Sequence, residues 1–286
     1  FLKENIGCKS SLFKQTLFPV FFERFMASVI GVTEATSYTK DSSIKEIYFF
    51  DFVKCLDLLF LILNVYLRRI QYYKLMSEAK IRASQKALDF ILPKITQQTV
   101  LGIGTGSTVN CFIELLATHK NAFKGVVSSS KASSDLIANY DIEEFELNDV
   151  NSVSFYIDGA DEVSIEKNLI KGGGGAHTRE KIVAAASESF ICIADQSKFV
   201  DQLGQFPLPI EVAKVARSYV SRRIVGMGGL PEFRQNFITD LGNQIIDVRE
   251  LDISNPKELE IKINAIPGVI DNGIFSINKP NEIFSD

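Results

Sequence analysis

From Ser77 onwards, apolar residues recur at two alternating spacings. SEAKIRASQKALDFILPKI (77–95) places them at helical intervals, the period that turns one face of a helix to a core. TVLGIG (99–104) is a short continuous apolar run, the pattern of a buried strand. STVNCFIELLATH (107–119) returns to the helical period. FKGVVSSS (123–130) holds the next strand and KASSDLIANY (131–140) the next helix. SVSFYIDGADEV (152–163) carries a strand into an acidic turn. The glycine run after Lys171 leads into a helix expected over about 179–190, with Ile182, Val183, Ala186 and Phe190 as its buried stripe. ICIAD (191–195) is a further strand. Strands alternating with helices predict an α/β fold, a mostly parallel sheet with helices on both faces.

The pattern changes after FPLPIEV (206–212). That strand is followed by a helical AKVARSYVSRRIV, then by FRQNFITDLGNQIIDVREL (233–251), which reads as two strands around a turn at Leu241-Gly242-Asn243. A helix follows Asn255-Pro256 and a strand follows Ile266-Pro267. The order β-α-β-β-α-β predicts a smaller ferredoxin-like α+β lobe over 206–271. The larger domain is expected over 76–205, joined by the C-terminal residues from about 272.

Residues 1–75 do not share this regularity. They hold ten of the 22 phenylalanines, and Asp51, Lys54, Asp57 and Asn64 interrupt their most apolar stretch. The uninterrupted apolar run, Leu58 to Leu63, is far shorter than the roughly 20 residues a membrane helix needs. A cleaved targeting segment lacks a clear small-residue cleavage site. The favoured expectation is an appended segment outside the functional fold, with Met76-Ser77-Glu78 as a natural start.

Composition narrows the chemistry. The 31 basic and 35 acidic residues leave a net charge of −4, which advertises neither a nucleic-acid partner nor, for 76–286, an anionic membrane surface. Cys8, Cys55, Cys111 and Cys192 are too widely spaced for a metal knuckle and read as reduced thiols. His119 and His177 are the only histidines, little material for a zinc site or a histidine triad.

Four segments carry candidate chemistry. LGIGTGSTVN (101–110) follows a strand and opens a helix, where backbone N–H groups bind anions. A dinucleotide fingerprint would have glycine at Ser107 and an acidic residue near Ser128, Ser129 or Ser130. The hydroxyls of Thr105, Ser107 and Thr108 suit a phosphate or sugar better, and an unliganded tight turn is the plain alternative. Asp158 and Asp161 lie at the carboxyl end of a strand, the ligand edge of an open α/β sheet, with Gly159 and Ala160 keeping the turn small. They suit a hydroxylated or cationic partner; an Asx-type turn and an all-oxygen magnesium site are the alternatives. In LIKGGGGAHTREKIVAAA (169–186), glycines admit close backbone approach and Lys171 adds a positive charge. Glu180 follows in the first helical turn, where the dipole favours its ionised form, a candidate proton acceptor or mere dipole compensation. Lys198 stands just beyond a strand end on the same edge, or is a solvated surface lysine.

Together these segments resemble ribose-5-phosphate isomerase, type A. The blocks GIGTGSTV, VSSSKASSDL, YIDGADEV, LIKGGGGAHTREKIVA, ICIADQSKFVDQLGQFPLPIEV, ITDLGNQIIDV and INAIPGV occur in family order, and the likeness spans Met76 to about Phe275. His177 stands where the family often has an aliphatic residue. The tail INKPNEIFSD fits the family end poorly, so an altered or shortened end is expected there. The resemblance implies a Rossmann-like catalytic domain and interconversion of D-ribose 5-phosphate and D-ribulose 5-phosphate through a cis-enediolate, in the pentose phosphate pathway, without metal or other cofactor. It implies Glu180 as base, with Asp158 moving hydroxyl protons and Lys171 stabilising the oxyanion. It assigns substrate contacts to Lys80, Thr105, Gly106, Ser107, Thr108, Asp158, Gly159, Ala160, Asp161, Lys171, Gly172, Gly173, Gly174 and Lys198. A cytoplasmic homodimer or homotetramer acting on a small-molecule substrate follows from the same resemblance. The competing function is a non-catalytic sugar-phosphate sensor on a related α/β fold, which would need the phosphate loop but not Glu180 with Lys171.

Overall fold

Alternate residues of the central strands belong to two different cores, and this divides the molecule into layers. The computed structural model describes residues 78–286, all within one unit, Lys74–Asp286. The reading of residues 1–75 lies outside the described residues. Among the described residues, no helix is long and apolar enough to cross a membrane.

Helix α1 covers 78–91 and buries Ala79, Ala83, Ala87, Leu88 and Ile91. It gives way to a 3-10 turn at Leu92–Lys94, which contains Pro93. Strand β1 (Val100–Ile103) runs into α2 (Ser107–Ala117), which buries Val109, Phe112, Ile113 and Leu116, one face of a 3.6-residue period. Strand β2 (Gly125–Ser128) precedes α3 (Lys131–Ala138), whose first turn is capped by Ser130 Oγ accepting from Ser133 N. Strand β3 (Val153–Asp158) leads to the short β4 (Glu162–Ser164) and β5 (Leu169–Ile170). Then come α4 (His177–Ala186), β6 (Ser187–Ile193) and β7 (Phe199–Val200).

The strand β13 (Glu282–Phe284) completes a five-stranded sheet in the order β13-β6-β3-β1-β2, parallel throughout. Leu101, Ile103, Val126, Ile157, Ile191 and Ile193 face the core shared with α1, α2 and α3. Val100, Val127, Tyr156, Phe190 and Cys192 face the other core, with Val183 and Ala184 of α4. This period of two, with helices on each face, is the α/β architecture expected.

A third core belongs to β8 (Leu208–Val212), α5 (Arg217–Val225), β9 (Leu230–Phe233), β10 (Gln244–Arg249), α6 (Pro256–Asn264) and β11 (Val269–Asn272). Its antiparallel sheet has the order β11-β8-β10-β9, the ferredoxin-like arrangement. A third sheet, in the order β12-β5-β4-β7, uses β12 (Ile274–Phe275). It lines up β5 so that the chain leaves Ile170 directly into Lys171.

Two expected elements are corrected. The helix after the glycine run begins at His177 and ends at Ala186, not near Phe190. Ser187 Oγ donates to the Val183 carbonyl at 2.7 Å, satisfying a helix-end acceptor, and Ser187 already pairs with Val153 as strand. Val183 is buried as expected and Phe190 is buried from β6, but Ile182 is 49% exposed and Ala186 is also exposed. The first strand of the second-lobe hairpin lies at Leu230–Phe233, and residues 234–243 form a loop. That loop is spent on contacts with the glycine run. The tail residues Glu282–Phe284, which resemble the family end poorly, pair in register with Ile191–Ile193.

Candidate active site

The carboxyl ends of β1, β2, β3 and β6 meet at one edge of the parallel sheet, and there the candidate residues gather. Asp158 ends β3 and is fully buried. A Cβ on Gly104 would lie 2.0 Å from the Asp158 carboxyl, so glycine at the end of β1 is what admits that side chain. Asp158 Oδ1 accepts from Thr105 N at 3.0 Å and Gly159 N at 2.7 Å. Oδ2 accepts from the Tyr156 hydroxyl at 2.5 Å and lies 2.7 Å from Lys171 Nζ.

Lys171, itself buried, also donates to the Gly159 carbonyl at 2.5 Å and stands 3.2 Å from Glu180 Oε2. The Glu180 contact is an ion-pair distance without hydrogen-bond alignment: Oε2 is buried with no protein hydrogen-bond partner. One ammonium thus faces two carboxylates, and all three side chains are buried. Burial works against the charge on Lys171, but Asp158 and Glu180 outweigh it and hold the lysine protonated above its usual range. Burial first, and Asp158 next, push Glu180 up to about 8, with Lys171 pulling the other way. This corrects the expectation that the helix dipole keeps Glu180 ionised. The residue is in the first turn of α4, but desolvation of a second anion outweighs a dipole effect of roughly 0.3–1 kcal/mol.

The glycine loop is clamped from outside. Gly172 and Gly175 take positive φ of 103° and 80°, a region glycine enters without strain. Arg234, at the start of the 234–243 loop, donates from Nη1 to the Gly172 and Gly173 carbonyls at 3.4 and 3.2 Å. It is itself held by Asp247, with Nε at 2.8 Å from Oδ2. Gly173 N donates to Asp161 Oδ2 at 2.8 Å on the site side. Phe237 packs so closely on Gly175 that a Cβ there would sit 2.3 Å from its ring. Buried Glu211 ties the same loop to α4, accepting from Thr178 Oγ1 at 2.5 Å and Thr239 Oγ1 at 2.7 Å.

At the other end of the cluster, α2 begins after Gly106 (φ 118°) with no side-chain cap, and Lys80 Nζ donates to Ser107 Oγ at 2.9 Å. Uncapped N–H groups beside a lysine and hydroxyls form an anion cradle. Thr105 spans the two ends, its N–H on Asp158 and its Oγ1 3.3 Å from Ser129 Oγ. Asp158, Gly159, Asp161, Lys171, Gly173 and Glu180 therefore form one connected cluster, with Thr105 leading to the Lys80–Ser107 end. Lys198 sits in the 3-10 turn Gln196–Lys198 after β6; among the described residues no hydrogen bond or ion pair joins its ammonium to the cluster.

Tyr156, Arg234 and Glu211 do not stand out in the sequence pattern. Tyr156 does carry a signal, since it stands two residues before Asp158 on one strand and so shares its face. Arg234 and Glu211 come from the second lobe, and only the folded chain brings them near.

Comparison with known proteins places this fold in a family. The family model described as ribose 5-phosphate isomerase A (phosphoriboisomerase A) matches residues 125–285. Ribose 5-phosphate isomerase A from Neisseria gonorrhoeae is 48% identical, with a TM-score of 0.70 over 74% of this chain and 96% of that one. The enzyme from Methanocaldococcus jannaschii is 36% identical, with a TM-score of 0.66 over 72% of this chain and 96% of that one. A D-ribose-5-phosphate isomerase in complex with phospho-erythronic acid is 37% identical, with a TM-score of 0.67 over 71% of this chain and 92% of that one. With a family model matched over more than half of the chain and relatives up to 48% identical, the chain belongs to the ribose 5-phosphate isomerase A family, as an enzyme that interconverts D-ribose 5-phosphate and D-ribulose 5-phosphate.

Proposed function

We propose that Glu180 is the base of this isomerisation, working beside Lys171 on a ring-opened sugar whose phosphate rests at the Lys80–Ser107 end. Glu180 removes the C2 proton of the aldose, which leaves a cis-enediolate. A hydroxyl proton moves from O2 to O1, and Glu180 returns its own proton to C1, giving the ketose. Lys171 holds its charge against the developing oxyanion, an effect worth roughly 3–4 kcal/mol per well-placed donor. Thr105, Gly106, Ser107 and Thr108 offer N–H groups and hydroxyls to the phosphate. Asp158, to which the resemblance gives the moving of hydroxyl protons, acts in this reading through its charge on Lys171, 2.7 Å away. Gly159, Ala160, Asp161 and Gly172 to Gly174 line the carbons between, and Lys198 approaches the sugar from the β6 side. The binding of phospho-erythronic acid, a phosphorylated carboxylic acid, by a similar protein fits a site with an anion cradle at one end and a lysine at the other.

In this reading residues 76–205, with those from about 272, form the catalytic domain, and 206–271 form the lobe that supplies Arg234. The protein works as a cytoplasmic homodimer or homotetramer, as the resemblance implies. The observation that carries the assignment of the base is Glu180 Oε2, buried, 3.2 Å from Lys171 Nζ and without a protein hydrogen bond. Glu180→Gln keeps the side chain's size but removes its basicity. The variant should fold with normal circular dichroism and lose ketose formation from ribose 5-phosphate by at least a thousandfold; near-normal turnover would assign the base elsewhere.

A further inference from the structure

Tyr156 is wholly buried beneath the site. Its ring packs 5.3 Å from that of Phe190 and fills the space that the missing side chain of Gly102 leaves, where a Cβ would lie 2.8 Å from the ring. The ring is thus fixed, and with it the hydroxyl, which donates to Asp158 Oδ2. Three hydrogen-bond donors then hold one carboxylate, Thr105 N, Gly159 N and Tyr156 Oη, and Lys171 Nζ stands at an ion-pair distance of 2.7 Å from Oδ2. An ionised carboxylate has about four acceptor positions, so three hydrogen bonds and the adjacent ammonium leave Asp158 little room for a sugar hydroxyl. Glu180 is the opposite case, with no hydrogen bond to Oε2.

We infer that Tyr156 is a positioning residue for the isomerisation: by donating to Asp158 Oδ2 it fixes that carboxylate on Lys171 and withholds it from proton traffic, leaving Glu180 to move protons. The inference rests on Glu180 as base and adds a division of labour between the two buried carboxylates. The hydroxyl proton then passes directly between the two cis oxygens of the enediolate, and Asp158 neither gains nor loses one. The groups that face Tyr156 and Asp158 agree with this. Burial, then Asp158 and Glu180, raise the Tyr156 phenol well above its ordinary range, so it stays a donor. Lys171 is held charged, and Cys192, pushed up to about 12 by burial, stays a neutral thiol beside it. Asp161 adds a smaller push on Glu180 in the same direction as Asp158.

The test is Tyr156→Phe in the full chain, which keeps the ring and removes the donor. Without that hydroxyl the Asp158 charge is less shared and bears harder on Glu180. The pH below which kcat/KM falls should move up by about one unit. At pH 7, kcat should drop about tenfold, the size of one hydrogen bond to a charged group, with KM within twofold. Phe190→Leu disturbs the same packing without touching the hydroxyl and should leave the acid limb where it is. An unmoved limb in Tyr156→Phe, with or without lower activity or stability, overturns the inference, because a structural role alone does not shift it. A limb that moves equally in Phe190→Leu overturns it too. Failure of the base assignment is read separately, from turnover by Glu180→Gln.

Discussion

At the scale of single residues, the site is set by an imbalance of one ammonium and two carboxylates. Asp158 accepts three hydrogen bonds while Glu180 Oε2 accepts none, and burial with the nearby Asp158 charge makes Glu180 the group that yields to a proton. The sign of the pH dependence follows. Burial and Asp158 raise Glu180 to about 8, so in the empty enzyme the base form is the minor one at pH 7 and gains about tenfold for each unit of pH below that value. The rate constant kcat/KM for ribose 5-phosphate should climb with pH and level off above about 8; a flat profile from pH 6 to 9 would contradict a buried, repelled base. Much of this site is legible in the sequence. Asp158, Lys171 and Glu180 stand in two short motifs at strand ends, where chain order alone predicts convergence. Their proton affinities are not legible. The first-turn position of Glu180 argues for ionisation, and only the folded surroundings reveal the desolvation that outweighs it.

Among the elements, regular periods were readable and irregular ones were not. Helices α2 and α3 and strands β1, β2 and β3 follow from the apolar spacing. Helix α4 is misjudged because Ser187, Glu188 and Ser189 interrupt the apolar pattern at the point where β6 begins. The 234–243 loop is misjudged because its residues are selected for contacts with another part of the chain. Arg234 and Phe237 serve the glycine run, Thr239 serves Glu211, and Asp240 Oδ2 accepts from Lys131 N at the start of α3, at 2.8 Å. These side chains make the loop a clasp on the site. Arg234→Ala should therefore lower kcat/KM by about 10–100-fold, from loss of hydrogen bonds made by a charged group worth roughly 1.5–3 kcal/mol. Arg234→Lys should rescue little, since a single ammonium cannot grip Asp247 and two carbonyls together. Recovery of wild-type kcat/KM by the lysine variant would reduce the clasp to a simple charge effect.

For the molecule as a whole, the same burial that tunes Glu180 leaves a weakness at His177. This side chain opens α4, is fully buried, and has Nε2 3.4 Å from the Asp271 carbonyl while Nδ1 has no partner. Burial first, then Lys181, lowers its pKa to about 3; Asp271 opposes and Arg234 adds to the lowering. A histidine that titrates near 6.5 when unfolded but near 3 when folded binds its proton preferentially in the unfolded chain. Its contribution to stability is complete above pH 6.5 and is lost as pH falls towards 3, at about 1.4 kcal/mol per unit. Glu180 has the opposite sign: raised on folding, it adds stability as pH falls from about 8 towards its ordinary value of 4.5. The two overlap between pH 6.5 and 4.5, so the raw unfolding curve of the native chain does not separate them. The difference between proteins does. His177→Leu deletes one titration and leaves Glu180 in place. Urea unfolding of both proteins should give a stability difference that is constant above pH 7 and moves in favour of the leucine variant by about 1.4 kcal/mol per unit below pH 6. A difference that stays constant down to pH 4 would mean that His177 is protonated in the folded protein, with Asp271 or water supplying the partner that Nδ1 lacks.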